Sequence, residues 1–97
     1  MDVVWKARAL KDREQIHAYL ARTSLMHAHR TIAAIQRAIN HLEQHPQLGR
    51  QVPDRPGERL LVVPRTYYMV AYRVIARGPH PRLEIMRIVD QRRAPKK

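Results

Sequence analysis

The clearest pattern in the sequence is an apolar stripe between positions 25 and 42. Its members recur at alternating steps of three and four, which places them on one face of an α-helix. Ser24 offers an N-cap hydroxyl at the start, and Pro46 ends the helix because its ring cannot continue one. Ala34 and Ala38 widen this face and favour close packing against a second helix. The stripe consists of Leu25, Ala28, Ile32, Ile35, Ile39 and Leu42.

A weaker helical pattern comes before it, from position 7 to about position 22, where neither Gly nor Pro occurs. Leu10, Ile16 and Leu20 form a patchy stripe that Arg13 interrupts. Only a two-residue break separates the two helices. Together they predict an αα-hairpin.

Four further segments have the β-branched, aromatic or alternating character of strands. The first precedes the helices and the other three follow a loop rich in Pro and Gly. The order β-α-α-β-β-β predicts an α+β fold, with an N-terminal strand and the helical hairpin packed on a three- to four-stranded antiparallel sheet. The predicted strands cover residues 2–6, 59–63, 67–75 and 83–89, and the loop covers residues 47–57.

Composition limits the class of protein. The 97 residues fit one domain, residues 1–97, with residues 91–97 as a basic tail. Nineteen Lys and Arg against eight Asp and Glu give a formal charge of +11, which favours an anionic partner. The absence of Cys excludes a disulfide framework, a thiolate zinc site and a Cys nucleophile. Because no apolar run reaches the length of a membrane span, we expect a cytoplasmic protein without a membrane partner.

Five segments in order along the chain resemble the ParE/RelE superfamily of toxins from bacterial type II toxin–antitoxin systems. Each motif alone is weak, whereas their order and spacing are fairly specific and cover nearly the whole chain. The resemblance implies the same strand, helical hairpin and meander that the patterns predict. The segments are residues 5–12 (WKARALKD), 45–50 (HPQLGR), 58–62 (ERLLV), 68–74 (YMVAYRV) and 85–95 (IMRIVDQRRAP).

The superfamily has two branches with different activities. RelE-like members are ribosome-dependent mRNA endonucleases, with an Arg directly after the first Tyr of the long strand and a Tyr or His in the tail. Here Met69 follows Tyr68, and the sequence after Arg93 is Ala-Pro-Lys-Lys. The chain therefore resembles the ParE-like branch more closely. That resemblance implies a toxin that inhibits DNA gyrase, is not itself an enzyme and is neutralised by a cognate antitoxin.

A metal-independent endoribonuclease remains the alternative, with ribosome and mRNA as partners. It would use Arg73, Arg87 and Arg92, with the tail lysines, to hold the mRNA, and either Tyr68 or Tyr72 in the acid–base role. A plain nucleic-acid-binding module is a third hypothesis, which only the charge supports. An acidic antitoxin segment is the expected partner in either toxin branch.

The residues expected to contact the target or the antitoxin are cationic or aromatic. Tyr68 and Tyr72 lie four residues apart on one strand face. The favoured interpretation is that both rings pack between sheet and helices, with their hydroxyl groups at the rim. Arg87 lies inside an otherwise apolar strand, so a contact or a buried ion pair is favoured over a solvated position. The set is Tyr68, Arg73, Arg87, Arg92 and Arg93.

Two smaller motifs suggest structural roles. Gly49 is expected to permit a positive φ after the second helix, and Arg50 to bind Asp54 or Glu58 and so hold the loop. His41 and His45 have the i, i+4 spacing of zinc ligands, but no third ligand accompanies them. The sequence therefore predicts no metal site and no cofactor.

Overall fold

The predicted helices and strands occur in the predicted order. The structure is a computed structural model, and it describes residues 1–93. Its α+β architecture confirms the predicted fold class, with one additional short strand in the loop before the meander. The elements are β1 (Asp2–Trp5), α1 (Ala7–Ala21), α2 (Leu25–Gln44), β2 (Arg50–Gln51), β3 (Glu58–Val62), β4 (Tyr68–Ile75), β5 (Arg82–Asp90) and a 3₁₀ turn (Gln91–Arg93).

The apolar stripe of α2 packs on the sheet and supplies much of the core. Ser24 caps this helix, with its hydroxyl accepting a hydrogen bond from the His27 amide at 3.1 Å. Ile35, Ile39 and Leu42 are fully buried against the apolar side chains of β4 and β5. Leu25 differs from the prediction: at the first position of the helix, beside the hairpin connection, its side chain is 55% exposed.

The sheet has five strands in the order β1-β5-β4-β3-β2. The meander β3-β4-β5 is antiparallel, as predicted. The first strand lies at the edge and pairs with β5 in the parallel direction, so the sheet is mixed rather than wholly antiparallel. Parallel pairing is possible because the chain makes a long crossover through both helices before the meander. The additional strand β2 pairs with β3 at the opposite edge.

Strand β5 contains a bulge at Met86. Ile85 pairs with Tyr72 and Arg87 with Ala71, which leaves Met86 without a partner on β4. The extra residue shifts the alternation by one position, so that Ile85 and Ile88 both face the helices. It also removes Arg87 from the core face, where strict alternation from Ile85 would place it.

A buried carboxylate on α1 joins that helix to β5 just after the bulge. β1 pairs only with residues 82–85 of β5, and the next stretch of that edge faces α1. Asp12 there accepts hydrogen bonds from the Ile88 amide at 2.9 Å and from Arg87 Nε at 2.7 Å and Nη2 at 3.2 Å. Asp12 therefore binds an edge amide that no strand pairs and neutralises the arginine beside it. The hydrogen bonds to Asp12 raise the pKa of the Arg87 guanidinium.

A second fixed point ties the end of α2 to the middle of the sheet. The Tyr72 hydroxyl donates to the Pro46 carbonyl at 2.8 Å and accepts from the Gly49 amide at 2.8 Å. A Cβ built on Gly49 would lie 2.6 Å from the Tyr72 hydroxyl and 2.9 Å from the Leu60 carbonyl oxygen. The expected positive φ at Gly49 is wrong, since among glycines only Gly57 and Gly78 have one. Close approach to the tyrosine, rather than backbone conformation, is what excludes a side chain at position 49.

Arg59 ties the loop before β2 to the sheet. Arg59 Nη1 donates to the Gly49 carbonyl at 2.7 Å, and Nη2 donates to Gln47 Oε1 at 2.6 Å. Glu58 pairs with Arg55 at 3.5 Å, and Arg50 lies exposed in β2. Arg59 acquires this position because β3 places it opposite Tyr72, on the strand beside the loop.

Asp12→Ala is expected to lower the free energy of unfolding by about 1.5–3 kcal/mol, because the buried Ile88 amide and the Arg87 guanidinium lose a charged acceptor. Asp12→Asn retains an acceptor and should cost less. Guanidinium unfolding followed by circular dichroism measures both. Glu14→Ala, an exposed carboxylate on the same helix, is the control and should change stability by less than about 0.5 kcal/mol. Equal losses for Asp12→Ala and Glu14→Ala would contradict the role of Asp12.

Gly49→Ala is expected to destabilise the protein by about 1–3 kcal/mol, because the new methyl group overlaps the Tyr72 ring and hydroxyl. The same unfolding experiment measures the loss. Leu48→Ala alters an exposed side chain in the same loop and should be nearly neutral. A Gly49→Ala variant as stable as the unaltered protein would show that the loop accommodates a Cβ.

Candidate functional site

One end of the molecule carries a cleft between the helical connection, the turn before β4 and the 3₁₀ turn after β5. Its volume is about 690 Å³. It brings together Tyr68 and Arg92 of the predicted contact set, and Arg93 lies beside it over the Tyr19 ring. We call it the tyrosine cleft. It is lined by Tyr19, Leu20, Arg22, Thr23, Ser24, His27, Thr31, Arg65, Thr66, Tyr67, Tyr68 and Arg92.

Arginine side chains in and beside the cleft stack on tyrosine rings. The Arg92 guanidinium lies 4.1 Å from the Tyr67 ring centre. Arg93 and Arg22 lie 5.6 Å and 6.0 Å from the centre of the Tyr19 ring. Such cation–π contacts orient a guanidinium while leaving its N–H groups free to donate. Tyr67 is 59% exposed, so much of its ring surface remains accessible.

Asp90 fixes the 3₁₀ turn at the side of the cleft. Its carboxylate accepts from Arg92 Nη2 at 2.9 Å, from Arg92 Nε at 3.1 Å and from the Arg92 amide at 2.9 Å. The Arg92 hydrogen bonds lower the pKa of Asp90, which keeps it ionised. Burial, together with the nearby Asp90 charge, raises the pKa of the Tyr68 hydroxyl. Tyr68 therefore presents a neutral phenol, which can donate a hydrogen bond.

Two cations of the cleft have no acidic partner among residues 1–93. Within residues 1–93, no carboxylate lies within ion-pair distance of Arg22 or Arg65. Arg65 has a positive φ of 65°, in a turn where the Thr66 hydroxyl donates to the Val63 carbonyl at 2.9 Å and accepts from the Tyr68 amide at 3.0 Å. This arrangement leaves uncompensated positive charge in a concave, hydroxyl-lined space.

The other predicted arginines line a shallower basic groove near the start of α1. Arg73 is exposed on β4, flanked across the sheet by Glu58 and Glu84. Arg87 is half-buried and bonded to Asp12, so the ion pair expected for it is present. We call this surface the α1 groove. It is lined by Lys6, Ala7, Arg8, Arg55, Pro56, Glu58, Arg73, Met86 and Arg87.

The residues of the ribonuclease alternative do not form one cluster. Tyr72 faces the helices and is fully buried, with its hydroxyl bound to Pro46 and Gly49. Arg73, the next residue of the strand, points to the opposite face. Burial raises the pKa of Tyr72, despite the hydrogen bond from the Gly49 amide. Tyr68 and Tyr72 belong to the core cluster, which confirms the packing expected for them.

Sequence reasoning missed several residues of these sites. Asp12 lies in a segment that resembles the family, but nothing in its spacing indicated a partner 75 residues away. Tyr19 and Arg22 lie one turn apart at the end of α1, and Arg65 joins them only through the fold. The paired tyrosines at 67 and 68, next to a Pro-Arg turn, were the one local signal of an aromatic surface.

The described residues contain neither a cluster of metal ligands nor a membrane-spanning helix. Residues 1–93 contain no group of three or more His, Asp or Glu side chains that could hold a metal ion. No helix in this part is long and apolar enough to cross a membrane.

The comparisons with known proteins agree with the resemblance seen in the sequence. The chain is similar to a P. aeruginosa structure described as a chromosomal ParDE toxin–antitoxin system, with a TM-score of 0.77, 24% identity and coverage of 93% of this chain and 95% of that one. It is also similar to a YoeB/ParE toxin from Agrobacterium tumefaciens, with a TM-score of 0.64, 24% identity and coverage of 91% and 96%. At this identity these two likenesses establish the fold.

A search of curated proteins found no match. The family model described as the ParE toxin of the type II toxin–antitoxin system parDE matches residues 3–95, nearly the whole chain. The chain therefore belongs to the ParE toxin family of type II toxin–antitoxin systems.

Proposed function

We propose that this protein is a toxin that inhibits DNA gyrase and is neutralised by a cognate antitoxin. The match to the ParE family over nearly the whole chain supports a toxin. The target is inferred from the residues that a ribonuclease of the superfamily would need. The proposed activity takes place in the cytoplasm, through protein contacts and without a cofactor.

The observation that carries the choice of target is the environment of Met69. The resemblance places a catalytic arginine at this position in the RelE-like branch. Here the Met69 side chain is only 9% exposed and lies between Val62 and Val89 on the neighbouring strands. A thioether in an apolar cross-strand row can neither stabilise a phosphate charge nor transfer a proton.

The remaining candidates for RNA cleavage do not compensate for Met69. Arg73 and Arg87 share the α1 groove, but Arg87 already binds Asp12. Tyr72 lies on the other face of the sheet, in the core. General acid–base catalysis needs its groups within hydrogen-bond distance of one reacting site, which this set does not provide.

For the antitoxin, we propose that an acidic segment binds the α1 groove. Lys6, Arg8 and Arg73 line this surface, and no carboxylate of the described chain lies within ion-pair distance of them. Carboxylates from a partner would neutralise this charge, and the apolar surfaces of Met86 and Pro56 would be covered at the same time. This arrangement leaves the tyrosine cleft open.

A gyrase supercoiling assay with the purified protein tests the proposal. The isolated protein should reduce supercoiling in a concentration-dependent way, and prior addition of the antitoxin should restore it. Gly49→Arg, which the contact with Tyr72 should prevent from folding normally, is the inactive control.

The competing hypothesis predicts a different result. In primer extension on a translated message, a ribonuclease would produce new cuts in the ribosomal A site. Such cuts, without any effect on gyrase at concentrations that arrest growth, would overturn the proposal.

A further inference from the structure

The tyrosine cleft combines unpaired positive charge with exposed aromatic surface. Arg22 and Arg65 supply positive charge without an acidic partner in the described chain. Tyr19 and Tyr67 supply aromatic surface, with exposed fractions of 48% and 59%. Exposed aromatic rings next to unpaired arginines are typical of surfaces that bind single-stranded nucleic acid.

The polar lining of the cleft suits the same ligand. Hydroxyl-bearing side chains line the same cleft as the arginines, and the Tyr68 phenol remains neutral and able to donate. Phosphate oxygens accept hydrogen bonds from hydroxyl and guanidinium groups alike. The lining hydroxyl groups that can still donate belong to Thr23, Ser24, Thr31 and Tyr68, whereas the Thr66 hydroxyl already donates to the Val63 carbonyl.

The shape favours a single strand over a duplex. A volume of about 690 Å³ lies within the range of about 300–1,000 Å³ that small-molecule sites occupy. Because the cleft is concave, a flexible single strand can follow its lining. In a single strand the base is also free to stack on a side chain, which base pairing prevents.

An acidic peptide would use only half of these features. Carboxylates would pair with Arg22 and Arg65, but the exposed rings of Tyr19 and Tyr67 would remain uncovered. Arg92 and Arg93 already hold one side of these rings through cation–π contacts. The accessible part of the Tyr67 ring can therefore stack on another flat group, such as a nucleic-acid base, beside the arginines.

We propose that the tyrosine cleft binds single-stranded nucleic acid, with a base stacked on Tyr67 and the adjoining phosphates bound by Arg22 and Arg65. The site needs no bond to be made or broken, and Arg73, Arg87 and Tyr72 of the ribonuclease alternative do not line it. Nor does it depend on gyrase being the target.

Fluorescence anisotropy with a fluorescein-labelled twelve-residue oligothymidylate tests the site on the full-length chain. The double variant R22A/R65A should weaken binding at least tenfold at 150 mM salt. The slope of log K against log salt should fall by about 1.4, because two phosphate contacts to a single strand are lost. R37A/R77A removes the same charge from exposed positions outside the cleft and should weaken binding less than threefold.

Substitutions at Tyr67 test the stacking separately from the charge. Y67L should weaken binding at least fivefold, whereas Y67F keeps the ring and should bind within twofold of the unaltered protein. Because Tyr67 is exposed, neither variant is expected to impair folding, and circular dichroism checks this.

Three results would overturn the proposal. Equal weakening by R37A/R77A and R22A/R65A would show diffuse attraction by the net charge. Unchanged binding by Y67L would exclude stacking. Displacement of the oligonucleotide by polyglutamate or by duplex DNA, as efficiently as by unlabelled oligothymidylate, would assign the cleft to another class of ligand.

Discussion

Asp12 accepts hydrogen bonds from both the backbone and a side chain of the last strand, and the position of α1 on the sheet depends on them. β1 covers only the first half of β5, so the second half would present an unpaired amide at the edge. Asp12 binds that amide at Ile88 and the neighbouring Arg87 guanidinium together. A carboxylate this buried is stable only with such partners, so helix, bulge and arginine form one unit.

The two candidate surfaces lie on either side of this unit. Near the start of α1, Arg87 is paired with Asp12 and also lines the α1 groove. Towards the chain end, β5 continues to Asp90, which binds Arg92 beside the tyrosine cleft. The bulge at Met86 sets the face on which each of these residues lies. Strand β5 therefore positions residues of both surfaces, the α1 groove proposed for the antitoxin and the tyrosine cleft proposed for nucleic acid.

The periodic features of this fold were predictable from sequence, and the single long-range contacts were not. The α2 stripe, the hairpin and the three-strand meander follow from local spacing. The bulge leaves a trace in the spacing of Leu83, Ile85 and Ile88, but the simple alternation of the prediction overlooks it. Arg13, which interrupts the α1 stripe, lies 4.6 Å from the Trp5 ring centre, a contact that propensity cannot indicate. The partners of Asp12 and the convergence of Arg22 with Arg65 depend on tertiary packing alone.

Native-state hydrogen exchange of the Ile88 amide tests the role of Asp12 most directly. Although this amide lies at a sheet edge without a neighbouring strand, it should be protected to the same degree as amides of the central strand β4. In Asp12→Ala the exchange rate of the Ile88 amide should increase by a factor about ten times larger than the factor for the β4 amides. An Ile88 amide that exchanges like an exposed edge amide in the unaltered protein, or is unaffected by the substitution, would contradict the account.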